Sequence, residues 1–412
     1  MSRDATLQLV TSNRWVLAIL ALQAFTLSVN GVAAPWIMQS FHLDQSSLAR
    51  LFAWISVSSI GALVLTRLFD VIGRFRLLRW CVFASSFGSI GAALSRSLKA
   101  FTLCEILLDA TASAAIAAAI VVVAEKLPVA ERATGQSLVG IAVRVGSGFS
   151  IALMPLLAYA GYSWRWLLVL AALPSLGLYL IEGTRDEITE LQRAVANRNR
   201  ADNALSDLLR PRYRRRAITL VVSALLSGIA ITSGKTWIYF HTVSVVGSPP
   251  AAASLMLLIA GGLALTGYPL GAASCERFGR VPTVSGFALA LAIGSIWSFW
   301  GPPSTFRHPL LWLGAGFSCF GLATNATSVG ANSSATELVP GGLRTTMIGC
   351  RAFAGAIGEV MGQGIVAALA PRLGGISNVV GYLGLFAIGV SLLFGFLIEE
   401  SRGLALEEIA TD

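Results

Sequence analysis

Six charged side chains interrupt long apolar stretches of this sequence: Glu105, Asp109, Arg144, Lys235, Arg351 and Glu359. A charge at the centre of a lipid bilayer costs about 2.5–3.5 kcal/mol on insertion scales, so such residues usually face a protein interior and often act there. Carboxylates in such a place can carry protons, and cations can pair with them or bind an anionic group. These residues are therefore the first candidates for a functional site.

Glu105 and Asp109 are four residues apart and share one face of a helix. Two carboxylates close together in a low dielectric raise one another's proton affinity, which is the property that a proton carrier needs. The alternative is an ion pair that only assembles the protein. From the depths of these residues in their apolar stretches, we expect Asp109 to pair with Arg144 and Glu105 with Lys235. Depth also allows Lys235 to pair with Asp109.

The segment KTWIYFH, from Lys235 to His241, adds a cation, aromatic rings and hydrogen-bonding groups at the end of one apolar stretch. Lys235, Tyr239 and His241 are candidates for contact with a solute. Trp and Tyr near the end of a membrane span also serve as interfacial anchors, so that interpretation stays open.

Two further pairs of polar residues lie on shared helix faces. Asn325 and Asn332 are seven residues apart, and Glu359 and Gln363 are four apart. An amide pair within a membrane either lines a cavity or joins two helices by hydrogen bonds. The sequence does not decide between these two roles.

The elements that must position these residues are membrane-spanning helices. Of the 412 residues, 55% are hydrophobic and 12% charged, and the mean hydropathy is +0.73. A soluble protein of this length needs more charge on its surface. Apolar stretches of roughly 18 to 25 residues can cross a bilayer as helices. Twelve such spans, numbered here in chain order, are predicted at 15–34, 51–69, 77–95, 100–124, 135–159, 165–182, 217–243, 252–274, 281–300, 309–335, 345–370 and 378–398.

The lysines and arginines are distributed unevenly between the two sides of these spans. Most of the 30 lie at one side, in a set that includes Arg74 and the cluster from Arg210 to Arg216. Because cytoplasmic loops carry the excess of basic residues, both termini are predicted to be cytoplasmic, in the inner membrane. The formal net charge of +9 therefore reflects topology and contact with lipid, and nucleic-acid binding is not expected.

The one long polar segment, 183–216, separates six spans from six. The predicted domains are an N-terminal six-helix bundle (1–182), a cytoplasmic linker with a short surface helix (183–216), a C-terminal six-helix bundle (217–398) and a cytoplasmic tail (399–412). The fold class is therefore an all-α membrane protein with two pseudo-symmetric bundles. The five cysteines are scattered and suit neither a metal site nor a disulfide framework.

Two cytoplasmic turns repeat one pattern about half a chain apart. DVIGR runs from Asp70 to Arg74 after span 2, and ERFGR runs from Glu276 to Arg280 after span 8. An internal repeat of this size, split by a basic loop, is typical of transporters built from two bundles.

The first turn resembles the hallmark loop of the major facilitator superfamily, which reads roughly G-x-x-x-D-x-x-G-R-[KR]. Asp70, Gly73 and Arg74 are in register, whereas Thr66 and Phe75 depart from the pattern and Arg76 follows one place late. This resemblance implies a loop that helps to hold the outward-facing state. The residues assigned to it are Asp70, Gly73, Arg74 and Arg76, with Glu276, Gly279 and Arg280 in the second copy.

Two other segments resemble sugar porters and the related aromatic-acid and organic-ion symporters. They are TELVPGGLR, from Thr336 to Arg344, and FLIEESRGLALEEI, from Phe396 to Ile409. The span 5 glycine–proline signature of drug antiporters is missing. In the superfamily, spans 1, 4, 7 and 10 line the cavity. Where relatives often have an acid in span 1, this chain has Asn30, and where they have an arginine in span 4, it has Glu105. The candidates for substrate binding or coupling include these two residues and the polar residues of spans 10 and 11, Asn325, Asn332, Glu359 and Gln363.

These observations predict a secondary transporter that moves a small organic solute by alternating access. Buried acids without a nucleotide-binding motif favour proton-coupled uptake, and the intramembrane cations favour an organic acid. A sugar or polyol carrier, a multidrug efflux antiporter and a non-transporting solute sensor are the alternatives. No catalytic cluster, metal site or cofactor is expected. The expected partners are the solute, protons and the lipid bilayer, and the protein is expected to work as a monomer.

Overall fold

A computed structural model describes residues 3–72, 74–126, 132–182, 207–301, 307–340 and 343–401. All regular elements within these residues are helices. By their internal contacts they fall into two compact units. The first contains residues up to His42 together with those from Trp54 to Asn197, and the second contains Leu43–Ala53 and the chain from Arg198 onwards. The predicted surface helix of the linker lies outside the described residues.

Seven helices precede the linker. They are α1 (Arg3–Ser40), α2 (Gln45–Ser56), α3 (Ser58–Ile72), α4 (Arg74–Leu94), α5 (Leu98–Lys126), α6 (Arg132–Tyr159) and α7 (Arg165–Glu182). Helices α2 and α3 together form span 2, and each of the others forms one span. The described part of the chain thus has the six spans that were predicted for the N-terminal half.

Eight helices follow the linker. They are α8 (Pro211–Phe240), α9 (Pro250–Ala264), α10 (Gly267–Phe278), α11 (Arg280–Phe299), α12 (Pro309–Glu337), α13 (Arg344–Leu369), α14 (Ile376–Gly384) and α15 (Phe386–Leu397). A π turn, His241–Val245, extends α8. Spans 8 and 12 are each made of two helices, α9 with α10 and α14 with α15, so this half also has six spans.

Ten segments of the described helices are long and apolar enough to cross a membrane. The two remaining spans are α7 and α12, and α12 is rich in Ser, Thr and Asn. Many large apolar side chains point outwards, among them Leu103, Val145 and Ile293. A soluble protein would seldom expose so many, whereas hydrocarbon solvates them at no cost. The fold is thus a helical membrane protein of twelve spans.

Small residues allow neighbouring helices to approach closely. A Cβ atom on Gly146 of α6 would collide with the carbonyl oxygen of Ala21 on α1. A Cβ atom on Gly358 of α13 would collide with the carbonyl oxygen of Leu225 on α8. Close contact of backbones replaces the hydrophobic effect as the source of packing energy between helices in lipid.

The structure differs from the sequence prediction in the continuity of three spans. Spans 2, 8 and 12 were expected as single helices, but they are interrupted at Val57, at Leu265–Thr266 and at Leu385. No proline or glycine occupies these positions. However, Pro269 follows Leu265 by four residues and has no N–H to donate to its carbonyl oxygen, and Gly384 directly precedes Leu385. Neither kind of residue adjoins Val57, so the interruption of span 2 has no such local cause.

Candidate functional site

The first cluster of the site joins α5 to α1 in the first unit. Glu105 lies on α5 and is completely buried, and Asn30 lies on α1 with 8% of its surface exposed. The amide Nδ2 of Asn30 donates a hydrogen bond of 2.7 Å to Oε2 of Glu105. Asn30 is a neutral partner, so it does not stabilise the ionised carboxyl group as a cation would. Such a pair is expected where a buried carboxyl group must gain and lose a proton reversibly.

The pair leaves two complementary atoms unused. Within the described residues, Oε1 of Glu105 and Oδ1 of Asn30 are both buried without a hydrogen-bond partner. Both atoms are acceptors while Glu105 is ionised, so neither can satisfy the other. A protonated carboxyl group carries one O–H donor, and an amide oxygen is its natural acceptor. A protonated Glu105 would therefore supply the donor that this pair lacks.

Asp109 lies one turn further along α5 and is half-buried. Its Oδ2 accepts a hydrogen bond from the hydroxyl of Ser58, the first residue of α3. Ser58 is 1% exposed. The two acids of α5 thus have separate neutral donors, an amide for Glu105 and a hydroxyl for Asp109.

The two cations proposed as partners of these acids lie on α6 and α8. Arg144 is half-buried on α6, and Lys235 is exposed on α8. The pairing of Asp109 with Arg144 stays a prediction. The pairing of Glu105 with Lys235 would join residues of the two separate units and also stays a prediction.

Aromatic residues of the KTWIYFH segment form a buried cluster in the second unit. Trp237 is completely buried, and its Nε1 donates a hydrogen bond of 2.9 Å to Oε1 of Gln363 on α13. The ring centroids of Phe52 and Trp237 are 4.8 Å apart, and those of Trp237 and Phe240 are 5.7 Å apart. Gln363, predicted as a solute contact, is therefore bound to an indole ring.

Tyr239 and His241 are also buried, with 2% and 3% of their surfaces exposed. The hydroxyl of Tyr239 lies 3.3 Å from Oγ of Ser254 on α9. Nδ1 of His241 lies 2.7 Å from Oγ of Ser377 on α14. The burial of Trp237 and Tyr239 disfavours their role as interfacial anchors. His241 opens the π turn, and π turns within helices occur frequently at functional sites.

The two amides of α12 have different surroundings. Asn325 is 3% exposed, and its Nδ2 donates a hydrogen bond of 2.8 Å to the carbonyl oxygen of Ala264. Asn332 is exposed, and its Oδ1 accepts a hydrogen bond of 3.0 Å from Arg351. The guanidinium of Arg351 also donates to the carbonyl oxygen of Ala331, at 2.6 Å. Both asparagines thus join helices in this structure.

Glu359 completes the set of predicted residues on α13. It is half-buried and lies one turn before Gln363. Its role as a solute or proton contact stays a prediction.

The second copy of the repeated turn is bound by residues of two other motifs. Gly279 has φ 104°, and a Cβ atom there would collide with the carboxylate of Glu400. The two oxygens of that carboxylate accept 2.9 Å hydrogen bonds from the backbone N–H groups of Arg280 and Val281, which begin α11. The Arg280 side chain donates to Glu337 at 2.8 Å. The turn, TELVPGGLR and the C-terminal segment therefore meet at one place.

The first copy of the turn is only partly described. Asp70 lies in the last turn of α3, which ends at Ile72, and Arg74 and Arg76 lie in the first turn of α4. Their side chains and the whole of Gly73 lie outside the described residues. Glu276, in the second copy, is exposed near the end of α10. The role of both turns in holding one conformation stays a prediction.

Ser58 was not predicted from the sequence as a site residue. Serine is common in this chain, and one that binds a buried acid carries no signal that separates it from the others. Gln23 on α1 was missed for the same reason, although it accepts a buried hydrogen bond of 2.9 Å from Ser85. The one available signal was the position of Ser58 in the middle of span 2, where a polar group needs a partner.

Twelve spans in the described residues, with two acids within span 4, are typical of secondary transporters built from two bundles. A family model described as Major Facilitator Superfamily matches residues 16–363. The chain therefore belongs to the major facilitator superfamily, and it is a transporter rather than an enzyme.

Solved structures of other transporters have the same fold. The crystal structure of a D-xylose–proton symporter covers 98% of this chain and 99% of its own, with a TM-score of 0.76 and 16% identity. The nucleoside transporter NupG, as its D323A mutant, covers 93% of this chain and 98% of its own (TM-score 0.74, 15% identity). A bacterial homolog of the human lysosomal transporter Spinster covers 96% of this chain and 98% of its own, with a TM-score of 0.73 and 14% identity. Comparison with curated protein sequences gives no significant match.

Proposed function

We propose that this protein takes up a small organic acid together with protons, across the inner membrane, by alternating access. The observation that carries the proton coupling is the pair of Glu105 and Asn30, with its 2.7 Å hydrogen bond and its two unused acceptor atoms. The pair has room for one proton, and its neutral partner leaves the carboxyl group free to lose that proton again.

The pair suggests how a proton is carried. A proton on Oε1 of Glu105 would donate to Oδ1 of Asn30 and remove a buried charge. An unpaired charge in a low-dielectric interior is costly, whereas a hydrogen-bonded neutral pair is not. The protonated pair is thus the form that can be enclosed within the protein. When Glu105 becomes accessible to water on the other side, the ionised form is solvated and the proton leaves.

The cations of the two halves support an organic acid as the solute. Arg144 and Lys235 lie within spans 5 and 7, and Lys235 is exposed on α8. A cation within a membrane span can bind a carboxylate. Arg351, in span 11, donates to the Ala331 carbonyl oxygen and to Asn332 on α12.

A sugar or polyol is the second candidate solute. The observation that favours it is the C-terminal segment, which resembles that of sugar porters and which binds the turn at Gly279 through Glu400. The two candidates differ only in the solute, because both use the same transport cycle. A screen of solutes therefore distinguishes them.

The experiment is solute-driven proton movement in proteoliposomes that contain the purified protein and a pH-sensitive dye. Organic acids, sugars and cationic drugs are tested in turn, with native protein, Glu105→Gln and Asp207→Asn. Asp207 is the matched control, because it is a surface acid paired with Arg210 three residues away. Solute counterflow without a proton gradient is measured on the same vesicles.

We expect one class of organic acid to drive proton entry in native protein and in Asp207→Asn. Glu105→Gln should lower proton-driven uptake by about tenfold or more and leave counterflow intact, because exchange of a bound solute needs no net proton release. Solute movement without any proton signal would contradict the proton coupling. If only sugars were taken up, the solute would be a sugar or polyol and the organic acid would be excluded.

A further inference from the structure

Five arginines lie at the start of α8, in the segment RPRYRRR from Arg210 to Arg216. The first turn of α8 contains no acidic residue, and the side chain of Arg210, which precedes the helix, does not cap it. The N-terminus of a helix carries a partial positive charge, so cations are unfavourable at this position. A negatively charged partner would offset this cost.

Two of the five arginines are paired with carboxylates of the second unit. Arg210 lies 2.7 Å from Asp207, and Arg216 binds Glu399. The remaining three, which pair with no carboxylate of the described residues, are Arg212, Arg214 and Arg215. The cluster therefore carries positive charge that the described part of the protein does not neutralise.

Arg214 and Arg215 lie on the face of α8 that carries exposed apolar side chains. Ile218 and Val222 are both exposed and are one turn apart. Arg214 precedes Ile218 by four residues and Arg215 precedes it by three, so both arginines lie one turn nearer the start of the helix on this face. Arg212, by contrast, is about 120° around the helix from Ile218. The face changes from basic to apolar where span 7 was predicted to begin.

Helix α15 adds apolar surface beside this face. Nη2 of Arg215 lies 3.5 Å from the carbonyl oxygen of Phe396, and a Cβ atom on Gly389 would lie 2.9 Å from the Leu226 side chain. The two helices therefore run antiparallel side by side in the second unit, and the start of α8 lies beside the end of α15. Phe396 is 77% exposed, and Leu392, one turn before it, is also exposed.

An amphipathic anion fits this combination of charge and apolar surface. A free phosphate would need only the guanidinium groups of Arg214 and Arg215. A phospholipid supplies both parts, because its phosphate accepts hydrogen bonds from the guanidinium groups and its acyl chains cover the exposed apolar side chains. The arginines also lie on the predicted cytoplasmic side, where anionic lipids attract basic segments next to a membrane span.

We propose that Arg214 and Arg215, together with the exposed apolar side chains of α8 and α15, form a binding site for an anionic phospholipid. The phosphate lies between the two guanidinium groups, and an acyl chain lies along Ile218 and Val222. A lipid with a net negative charge is preferred over a zwitterionic lipid, because a choline or ethanolamine group would bring a further cation to a basic cluster. This inference is independent of the solute and of proton coupling.

The test is lipid binding to the purified full-length protein in a neutral detergent. Native mass spectrometry measures the dissociation constant of the first bound lipid for phosphatidylglycerol and for phosphatidylcholine with the same acyl chains. Thermal unfolding is measured in parallel with each lipid and with inorganic phosphate, since a ligand that binds only the folded protein raises its melting temperature.

Two double variants are compared with native protein. Arg214→Gln/Arg215→Gln removes two charges from the proposed site. Arg210→Gln/Arg212→Gln is the matched control, because it removes two charges from the same segment but away from the apolar face. A third variant, Arg214→Lys/Arg215→Lys, keeps the charges and removes the planar guanidinium groups.

In native protein, we expect phosphatidylglycerol to bind about tenfold or more tightly than phosphatidylcholine, the effect of about two basic residues at an anionic lipid. Arg214→Gln/Arg215→Gln should abolish this preference and leave the binding of phosphatidylcholine unchanged. The control should keep the preference to within about threefold, because its charges are further from the lipid and screened. The lysine variant should keep part of it.

Equal affinities for the two lipids in native protein would overturn the proposal. An equal loss in the two glutamine variants would also overturn it, because the net charge of the segment and not a defined site would then attract the lipid. If inorganic phosphate raised the melting temperature as much as phosphatidylglycerol, the ligand would be a soluble anion. Should Arg214→Gln/Arg215→Gln fail to fold, the single variants Arg214→Gln and Arg215→Gln replace it, and each must lower the preference by about threefold.

Discussion

Asn30 and Glu105 show what a buried acid requires of its neighbour. The 2.7 Å hydrogen bond between them joins groups from α1 and α5, and both groups are shielded from water. A partner with a fixed positive charge would stabilise the ionised acid permanently. An amide can accept as well as donate, so it can satisfy either protonation state of the carboxyl group.

The first prediction concerns the stability of this pair. Asn30→Ala removes the donor to Oε2 of Glu105 and leaves the carboxyl group buried without its partner. We expect the free energy of unfolding in detergent to fall by about 1–3 kcal/mol, which is the cost of an unsatisfied buried group. Denaturant or thermal unfolding measures the change.

Ser86→Ala is the control for Asn30→Ala, because the Ser86 hydroxyl binds only the carbonyl oxygen of Val82 in its own helix. Its effect should be much smaller. Replacing both Asn30 and Glu105 by leucine should recover most of the loss, because no polar group then stays unpaired. An Asn30→Ala protein as stable as the native one would show that the hydrogen bond contributes nothing.

The acids of this site were singled out from the sequence, whereas the neutral groups that donate to them were not expected as donors. Glu105 and Asp109 were found from the cost of placing a charge in hydrocarbon, and both lie on α5 as expected. The pairings with cations at similar depth stay predictions. The observed donors are Asn30 and Ser58, since neutral groups can satisfy an acid and depth along a helix gives no information about the direction in which a side chain points.

At the scale of elements, the carboxylate of Glu400 stabilises the start of α11. It accepts both the Arg280 and the Val281 backbone N–H groups, which have no partner within the helix. An anion at this end of a helix is also favoured by the helix dipole. The C-terminal segment therefore acts as a helix cap supplied from a distant part of the chain.

The second prediction tests this cap. Glu400→Ala should lower the free energy of unfolding by about 0.5–2 kcal/mol, the usual cost of losing an N-cap. Glu399→Ala is the matched control, since Glu399 lies next to it and its side chain is 64% exposed beside Arg216. That variant should change stability by less than about 0.5 kcal/mol. Equal losses in the two variants would contradict a specific role for Glu400.

The third prediction concerns the start of α2. The hydroxyl of Ser46 donates to Asp44 at 2.6 Å and the backbone N–H of Ser47 donates at 3.1 Å, and these bonds lower the pKa of Asp44 to about 2. A lowered pKa stabilises the folded protein above the unfolded-state value of about 4. This contribution is lost as the pH falls through about 2, because the folded protein must then accept a proton.

Thermal unfolding as a function of pH checks this expectation. Asp44→Asn should show a flatter dependence between about pH 4 and about pH 2 than native protein. Asp207→Asn, which removes a surface acid of the second unit, should keep the native slope. Identical slopes for native protein and Asp44→Asn would show that the two hydrogen bonds do not favour the ionised acid.

The number and order of the spans were well predicted by hydropathy, whereas the ends and the interruptions of several helices were not. Span 2 was expected to begin at residue 51, but α2 begins at Gln45, and α8 begins at Pro211 rather than at 217. A hydropathy average does not detect the first turn of a helix when that turn is polar. The interruption at Leu265 is explained by Pro269, four residues later, which cannot donate a hydrogen bond to the Leu265 carbonyl oxygen. The interruption at Val57 has no proline or glycine beside it, so no local signal in the sequence predicts it.

At the scale of the whole molecule, the pattern of apolar stretches and the repeated turns were sufficient to predict the superfamily. Identities of only 14–16% to transporters of the same fold show how little of the remaining sequence is needed for it. What the fold requires is twelve apolar stretches, small residues at close contacts and basic loops on one side. The solute depends on a few side chains within that framework, so the fold does not determine it.

The fourth prediction concerns orientation. If the excess of basic residues marks the cytoplasmic side, a cysteine at position 202 in the linker should be labelled by an impermeant maleimide only in inside-out vesicles. His308→Cys, in the exposed start of α12, should be labelled only in intact cells. Both variants need a background without the five native cysteines. Labelling with the opposite sidedness would reverse the predicted topology.

The packing of Leu43–Ala53 within the second unit has a consequence for biosynthesis. This segment is among the first parts of the chain to leave the ribosome, but its packing partners Trp237 and Ile376 are translated much later. Domains usually fold in the order of synthesis, N-terminal first. Leu43–Ala53 lacks its packing partners until then, so it is during this interval that this part of the nascent chain most needs the protection of the insertion machinery.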